Sequence, residues 1–409
     1  MSEFSVVGGG IAGLVTARRL AASGASVTLF EASARLGGTV AAHNVGGIRL
    51  DAGAESFAVR GGAVSALAHE LGLADDIVSP RPGPAWLQRA NDTAVPLPAT
   101  SLLGVPGDVL AADVVSIIGM DAATRAAALD GTPTPAVATD MTLGRLVRER
   151  MGDDVLAGLV APVVRGVHSI HPDDLPIDRA HPRLRAALAE TNSLAAAVTQ
   201  LRAAAPPGSA VAGIRGGITR LVSSLTDDLT ARGVQIMLNH PVTDISALPG
   251  RVIVAAPGFS AAGVATTGAA GREITLITLV VDQPELDAAP RGSGLLVADG
   301  AAVSARALTH ATAKWEWLRE AAAGRHVLRL SFDTPPVDGA DTARRDAESL
   351  LGIALPEIID SAVVTWTRPA PASALAGTPV VGETVAGSGL AGIIAHAERT
   401  ATEIIPARG

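Results

Sequence analysis

Val6-Val7-Gly8-Gly9-Gly10-Ile11-Ala12-Gly13 is the stretch that decides the fold of this 409-residue chain. It ends a short apolar run, and its pattern predicts a strand, a tight turn and the start of a helix. Gly8, Gly10 and Gly13 occupy the three glycine positions of the dinucleotide fingerprint, where a side chain would block a pyrophosphate. The helix, predicted from about Ile11 to Ser23, would point its first N–H groups at that diphosphate.

The sequence around this turn supports a dinucleotide site. A second predicted strand, Ser26–Phe30, ends in Glu31. This is about the 20-residue spacing of the acidic residue that holds the adenosine ribose hydroxyls. Arg35-Leu36-Gly37-Gly38-Thr39 follows directly. A glycine-rich turn alone often serves packing only, but strand, turn, helix and acidic residue together favour dinucleotide binding.

Composition excludes several other functional classes. The net charge is −8 and the chain has no basic run, which argues against nucleic acid as a partner. No stretch at the N-terminus has the pattern of a signal peptide, and no apolar stretch is long enough for a membrane-spanning helix. We therefore expect a cytoplasmic protein without a transmembrane segment, while peripheral membrane contact and a homodimer stay open.

Side chains that could catalyse a reaction directly are not apparent. The chain has no cysteine, which excludes disulfides and thiolate chemistry. His168 and His171 are spaced like metal ligands, but no carboxylate or third histidine stands at suitable spacing, so we expect no metal. No Ser-His-Asp set or carboxylate dyad is evident. We therefore predict no catalytic side chain and assign the chemistry to a cofactor.

Four separated stretches resemble one family of flavoproteins, the protoporphyrinogen and coproporphyrinogen oxidase branch of the flavin amine oxidase superfamily. The Arg35-x-Gly37-Gly38 motif carries part of the resemblance, and it favours FAD over NAD. Since a cysteinyl link is excluded, we expect noncovalent FAD. The stretches that carry the resemblance are residues 6–57, 161–176, 213–257 and 380–405.

The resemblance implies which residues surround the FAD. In the family, the segment matched by Asp51–Phe57 passes near the isoalloxazine, and the position matched by Val242 packs on the adenine. A helix beginning near Leu390 would lie against the flavin, where its positive dipole end stabilises the anion formed on reduction. The expected cofactor-binding residues are Gly8, Gly10, Ile11, Ala12, Gly13, Glu31, Ala32, Arg35, Gly37, Gly38, Thr39, Gly53, Ala54, Glu55, Ser56, Val242, Gly382, Glu383, Gly389 and Leu390.

The predicted fold is α/β, with a Rossmann-like FAD/NAD(P)-binding domain built from discontinuous segments. An inserted stretch rich in Ala, Leu and Arg has helical spacing and predicts a helical domain. Three aliphatic and β-branched runs, Ile274–Val281, Gly294–Val297 and Val327–Phe332, predict a mixed-sheet substrate domain. The expected segments are 1–80, 206–260 and 365–409 for the FAD-binding domain, 100–205 for the helical domain, and 81–99 with 261–364 for the sheet domain.

The resemblance implies oxidation of a porphyrinogen to the porphyrin in haem biosynthesis. Six electrons would leave in three rounds, each passing a hydride equivalent to the flavin, with molecular oxygen as the final acceptor. The lack of membrane-inserting segments favours coproporphyrinogen III over protoporphyrinogen IX. The substrate's propionates need cationic partners, and Arg60 and Arg165 are the expected ones.

Two alternatives stay open. The first is a flavin amine oxidase-like oxidoreductase acting on another substrate, although the chain has no tyrosine and Ile274–Val281 contains no lysine. The second is a flavin-binding relative that has lost turnover. Relatives commonly carry an aromatic-ended proline segment where this chain has only Arg368-Pro369-Ala370-Pro371-Ala372.

Overall fold

The computed structural model describes residues 2–132, 137–168, 170–204, 210–260, 262–264, 271–370, 375 and 377–405. Contacts within the chain divide it into two compact units. Unit 1 comprises Met1–Pro80, Gly208–Thr275 and Val364–Gly409, and unit 2 comprises Arg81–Pro207 and Leu276–Val363. The division into three domains expected from the sequence stays a prediction.

Strands and helices are numbered in chain order over the described residues. The strands are β1 (Glu3–Val7), β2 (Ser26–Phe30), β3 (Ala42–Val45), β4 (Ile48–Asp51), β5 (Phe57–Ala58), β6 (Ile77–Val78), β7 (Trp86–Gln88), β8 (Ala94–Pro96), β9 (Ser101–Leu102), β10 (Val105–Pro106), β11 (Val211–Ile214), β12 (Gln235–Met237), β13 (Arg251–Val254), β14 (Gly271–Val281), β15 (Gly294–Val297), β16 (Ala307–His310), β17 (His326–Phe332) and β18 (Asp360–Pro369). The α-helices are α1 (Ile11–Ala22), α2 (Ala63–Glu70), α3 (Ala112–Ile118), α4 (Met120–Asp130), α5 (Leu143–Met151), α6 (Asp153–Val155), α7 (Ala161–His168), α8 (Ile177–Ala180), α9 (Leu184–Thr191), α10 (Leu194–Ala203), α11 (Thr219–Ala231), α12 (Ala311–Lys314), α13 (Glu316–Ala322), α14 (Gly339–Leu351), α15 (Glu383–Ala386) and α16 (Leu390–Ile404).

A four-stranded parallel sheet forms the centre of unit 1. Its strand order is β12-β2-β1-β13, so the N-terminal strand β1 lies between β2 and a strand from the middle of the chain. Because the strands are parallel, their carboxyl ends meet at one edge of the sheet. Helices α1, α11 and α16 supply many of the residues of the hydrophobic core of this unit. The predicted Rossmann-like arrangement is confirmed.

Helix α1 lies unusually close to β1, and Gly13 allows this approach. A Cβ atom on Gly13 would lie 1.9 Å from the carbonyl oxygen of Gly8. No side chain larger than hydrogen fits at that distance, so the third glycine of the motif serves helix–strand packing. The helix is apolar and buried over most of its surface, as Leu14, Val15 and Leu20 illustrate.

Asp51 supports the start of α11. This buried carboxylate at the end of β4 accepts hydrogen bonds from the backbone N–H groups of Ile218, at 2.9 Å, and Thr219, at 3.1 Å. It thereby satisfies donors that a helix start leaves without intrahelical partners, and it complements the positive end of the helix dipole. The stretch that begins at Asp51 therefore has a structural role within unit 1.

Unit 2 contains most of a large sheet and a cluster of helices. The sheet has the order β18-β14-β17-β16-β15-β7-β8, and it mixes antiparallel pairs with the parallel pair β15-β7. The three predicted runs lie within β14, β15 and β17, which confirms a mixed sheet. The stretch predicted as helical contributes α3 to α10 and supplies most of a hydrophobic cluster that also includes Leu87 and Ala298. No helix among the described residues is both long and apolar enough to cross a bilayer.

Two buried histidines of unit 2 contact each other. His310 Nε2 and His326 Nδ1 are 3.1 Å apart, and the two residues are 1% and 4% exposed. Burial, the neighbouring His326 and the positive charge of Arg81 lower the pKa of His310 to about 3. Burial also lowers the pKa of His326, against the opposing effect of Asp287 and Asp282. The pair is therefore neutral at physiological pH.

This pair should make the protein sensitive to acid. The unfolded chain binds a proton at His310 near pH 6.5, whereas the folded chain resists it down to about pH 3. The free energy of unfolding is therefore unaffected by His310 above the pKa that this group has in the unfolded chain. As the pH falls below that pKa, the free energy of unfolding declines, by roughly 2 kcal/mol at about pH 5. Urea unfolding between about pH 5 and 7 should show a shallower pH dependence for His310→Gln than for the unaltered protein. The same slope in both would contradict this account, and His69→Gln, at an exposed position, is the control.

Candidate functional site

A cavity of about 570 Å³ lies in unit 1 at the carboxyl ends of the parallel strands. Its wall includes Val7 and Phe30, the last residues of β1 and β2, and Ala255, which follows β13. The volume is within the range of small-molecule pockets, and this edge of a parallel sheet is where open α/β folds bind ligands. The position and size of the cavity suit a nucleotide.

Gly10 provides the clearest sign of a ligand in this cavity. Its backbone has φ −71° and ψ 176°, a conformation open to any residue. A Cβ atom there would meet no described atom within 4 Å apart from its chain neighbours. Neither backbone conformation nor protein packing therefore requires glycine at this position. Since Gly10 lies in the cavity wall at the N-terminus of α1, the missing side chain fits a cradle for a diphosphate.

Two further glycines bring a second loop against this cradle. The Gly37 N–H donates to the Gly9 carbonyl at 2.8 Å, and Gly37 has φ +103°, which favours glycine. A Cβ atom on Gly38 would lie 3.3 Å from the Gly10 Cα. The Arg35-x-Gly37-Gly38 motif therefore lies beside the first glycine turn, and both glycines line the cavity.

Glu31 is fixed in the cavity wall by neighbouring donors. One carboxylate oxygen accepts the Gly9 N–H at 2.7 Å. The other accepts the Ser33 N–H at 2.8 Å and the Ser33 hydroxyl at 2.7 Å. These bonds hold the carboxylate at the end of β2, where the dinucleotide fingerprint places the acceptor for ribose hydroxyls.

The C-terminal segment closes the cavity from another side. The Val381 N–H donates to the Val254 carbonyl at 2.8 Å, and a Cβ atom on Gly382 would lie 3.5 Å from the Cβ of Ala12. The last glycine-rich motif of the chain is therefore adjacent to the first. Val380 forms an isolated parallel bridge with Val254.

Glu383 and Arg368 form an ion pair at the cavity. Arg368 Nε is 3.0 Å from Glu383 Oε1, and each side chain is about a quarter exposed, at 24% and 23%. Burial raises the pKa of Glu383, and the charge of Arg368 opposes that rise. Burial also disfavours the charged form of Arg368, and this lowers its pKa. Glu383 lines the cavity, as do Thr367 and Pro369 on either side of Arg368.

Comparison with known proteins decides the family. The sequence model of the flavin containing amine oxidoreductase family matches residues 11–275. The chain is also 31% identical to a Mycobacterium tuberculosis protein named coproporphyrinogen III oxidase, over 99% of this chain and 98% of the relative. The chain belongs to the flavin-containing amine oxidoreductase family. Its membership confirms an oxidoreductase with a flavin cofactor, and the dinucleotide motifs identify that flavin as FAD.

The chain is also similar to other proteins in sequence or in fold. A Propionibacterium freudenreichii coproporphyrinogen III oxidase is 27% identical over 73% of this chain and 67% of the relative. An Exiguobacterium crystal structure assigned as a protoporphyrinogen oxidase superposes with a TM-score of 0.82, 21% identity and 98% coverage of both chains. Putrescine oxidase superposes with a TM-score of 0.65, 15% identity and 99% coverage of both chains. These structures share the fold of this flavin oxidoreductase.

Most cofactor-binding residues expected from the sequence are brought together. Their chain positions span from the first glycine turn to the last helix, yet they line one cavity. The members found in its wall are Gly8, Gly10, Ile11, Ala12, Glu31, Ala32, Gly37, Gly38, Thr39, Val242, Gly382, Glu383 and Leu390.

The remaining expected residues lie outside the wall of this cavity. Gly13 packs against Gly8, the exposed Arg35 contacts the Leu36 carbonyl, and Gly389 precedes α16 with φ +105°. A Cβ atom on Gly53 would lie 2.7 Å from the Thr39 carbonyl oxygen. Cofactor contacts stay predictions for these residues and for Ala54, Glu55 and Ser56.

Several residues in the cavity wall were not among the cofactor-binding residues expected from the sequence. The main group follows β13, and two others flank Arg368 on β18. Since β13 is a buried apolar strand parallel to β1, its carboxyl end had to reach the same edge of the sheet. That reasoning could have identified the first group from the sequence. The wall residues outside the expected set are Val7, Phe30, Val40, His240, Pro241, Ala255, Ala256, Pro257, Gly258, Phe259, Thr367, Pro369, Val381, Thr384 and Ile393.

The two arginines expected to bind substrate carboxylates lie in different units. Arg60 is exposed in unit 1, outside the cavity wall. Arg165, on α7 of unit 2, forms an ion pair with Asp299, which also lies 3.4 Å from Arg306. Arg165 therefore already has an anionic partner within the protein.

The structure tests two other sequence observations only in part. No group of three metal-ligating side chains occurs within the described ranges, and the side chain of His168 lies outside them. His171 Nδ1 accepts the Asp173 N–H at 3.3 Å. Pro371 and Ala372, in the altered proline segment, also lie outside the described residues.

Gly10→Val should abolish FAD binding while the protein still folds. The new side chain would enter the cavity at the α1 N-terminus, and its Cβ atom would have no described protein atom within 4 Å apart from its chain neighbours. The absorbance of flavin per chain after purification measures binding, and far-UV circular dichroism checks folding. Gly131→Val, at a helix end in unit 2 with φ −75°, is the control. A folded Gly10→Val protein with full flavin content would refute the proposed position of the diphosphate.

Proposed function

We propose that this flavin oxidoreductase oxidises coproporphyrinogen III to the porphyrin in haem biosynthesis. The observation that carries the proposal is the 31% identity to the mycobacterial coproporphyrinogen III oxidase along 99% of this chain. Similarity over nearly the full length of both proteins favours a shared substrate more strongly than a shared cofactor motif would. Molecular oxygen as the electron acceptor, a homodimer and a cytoplasmic location belong to the same proposal.

The residues of unit 1 would hold and orient the cofactor. Bound FAD supplies the acceptor for each hydride equivalent. The first N–H groups of α1 suit the diphosphate, and Glu31 suits the ribose hydroxyls. The 15-residue helix α16 begins at Leu390 in the cavity wall, and its positive dipole end would stabilise negative charge on a reduced flavin.

Anaerobic mixing of the purified yellow protein with each candidate substrate tests the function. We expect coproporphyrinogen III to bleach the flavin absorbance without oxygen, because each FAD can take up two of the six electrons, and the porphyrin Soret band to appear once oxygen is admitted. Protoporphyrinogen IX should react more slowly, and putrescine should leave the flavin oxidised. Bleaching by the amine alone would favour an amine oxidase, and no bleaching by any of them would favour a protein that has lost turnover.

Recognition of the substrate's carboxylates is the second part of the proposal. A porphyrinogen carries several propionates, which the planar fork of arginine binds well. Arg60→Ala and Arg165→Ala should each raise KM by about tenfold or more, from a lost charge-assisted bond of about 1.5–3 kcal/mol. Steady-state kinetics measure the change, and the flavin content should stay constant.

Asp299→Asn is the matched control for Arg165. If Arg165 binds a propionate, removal of its internal anionic partner should leave KM unchanged or lower it. If Arg165 serves only the ion pair, Asp299→Asn and Arg165→Ala should impair the protein to the same extent. Unchanged KM in both arginine variants would place the carboxylate site elsewhere.

A further inference from the structure

The wall of the FAD cavity contains two carboxylates that are held in different ways. Glu31 is held by N–H and hydroxyl donors of Gly9 and Ser33. Glu383 is paired with the guanidinium of Arg368, at 3.0 Å. A carboxylate accepts hydrogen bonds only, so each can bind hydroxyl groups of a ligand and each repels a phosphate. The cation beside Glu383 therefore calls for an explanation.

The position of Glu383 explains why a cation lies beside it. It directly follows Gly382, which approaches Ala12 in the first turn of α1, where the diphosphate is expected. An uncompensated carboxylate at this place would disfavour the anionic diphosphate, and its own burial would be costly. Between the diphosphate and the isoalloxazine, FAD carries the hydroxyl groups of its ribityl chain. A carboxylate whose charge is offset by a nearby cation, and whose orientation is fixed, suits those hydroxyl groups.

We infer that Arg368 is a positioning residue of the flavin site. Its guanidinium holds the Glu383 carboxylate in the cavity wall as an acceptor for flavin hydroxyl groups and offsets its negative charge against the diphosphate. Arg368 acts through Glu383. The inference concerns cofactor binding and does not depend on which substrate the enzyme oxidises.

A double-mutant cycle on FAD affinity tests this role. Arg368→Gln, Glu383→Gln and the double variant are prepared with added FAD, and each holoprotein is diluted while the fluorescence of released flavin is followed. We expect Arg368→Gln to raise the Kd for FAD by about tenfold or more when Glu383 is present. In the Glu383→Gln background, the same change should alter Kd by less than about threefold, because the two effects are coupled.

Arg368→Lys provides a second, milder variant that retains the charge. It should weaken FAD binding less than Arg368→Gln does, again only when Glu383 is present. If Arg368→Gln fails to fold, as judged by far-UV circular dichroism, the same cycle is run with the lysine variant. Arg251→Gln is the control, since Arg251 donates to the Ile404 carbonyl and lies outside the cavity wall.

Two results would overturn the inference. An equal rise in Kd for Arg368→Gln in both backgrounds would show that Arg368 acts without Glu383. An unchanged Kd in the folded Arg368 variants would show that the ion pair does not serve the flavin. Because the affinity measurement contains no porphyrinogen, a result that overturns this inference would not bear on the proposed substrate.

Discussion

Helix α1 crosses β1 so closely that a methyl group on Gly13 would lie 1.9 Å from the Gly8 carbonyl oxygen. This contact fixes the start of the helix at the carboxyl edge of the parallel sheet. Gly8 turns the chain with φ +108°, Gly13 permits the contact, and Gly10 leaves the space in front of the helix open. The three glycines therefore meet three separate requirements: a turn, a packing contact and room for a ligand.

The site depends equally on segments that are far apart in the chain. Strand β13 pairs with β1 in parallel, and this brings the loop that begins at Ala255 to the same edge. The C-terminal segment bonds to Val254, so Gly382 and Glu383 reach the cavity beside Ala12. Each of these segments supplies only part of the cavity wall, and together they form one site because they all reach the same edge of the sheet.

Local patterns predicted much of this architecture. Ser26–Phe30 forms a strand with the expected bounds, and the cavity wall contains both glycine-rich motifs. What the sequence did not reveal depends on contacts between distant residues. The role of Asp51 at α11 and the pairing of Arg368 with Glu383 each join segments whose proximity only the fold determines. Arg165 is still predicted to bind a substrate carboxylate, and only the structure shows its ion pair with Asp299.

We infer that Gly10 is a glycine because the FAD diphosphate lies against it. A crystal structure of the FAD-bound protein measures this directly. The account predicts a phosphate oxygen in van der Waals contact with the Gly10 Cα, and diphosphate oxygens that accept backbone N–H groups from the first turn of α1. A diphosphate bound elsewhere, with Gly10 facing only solvent, would contradict it.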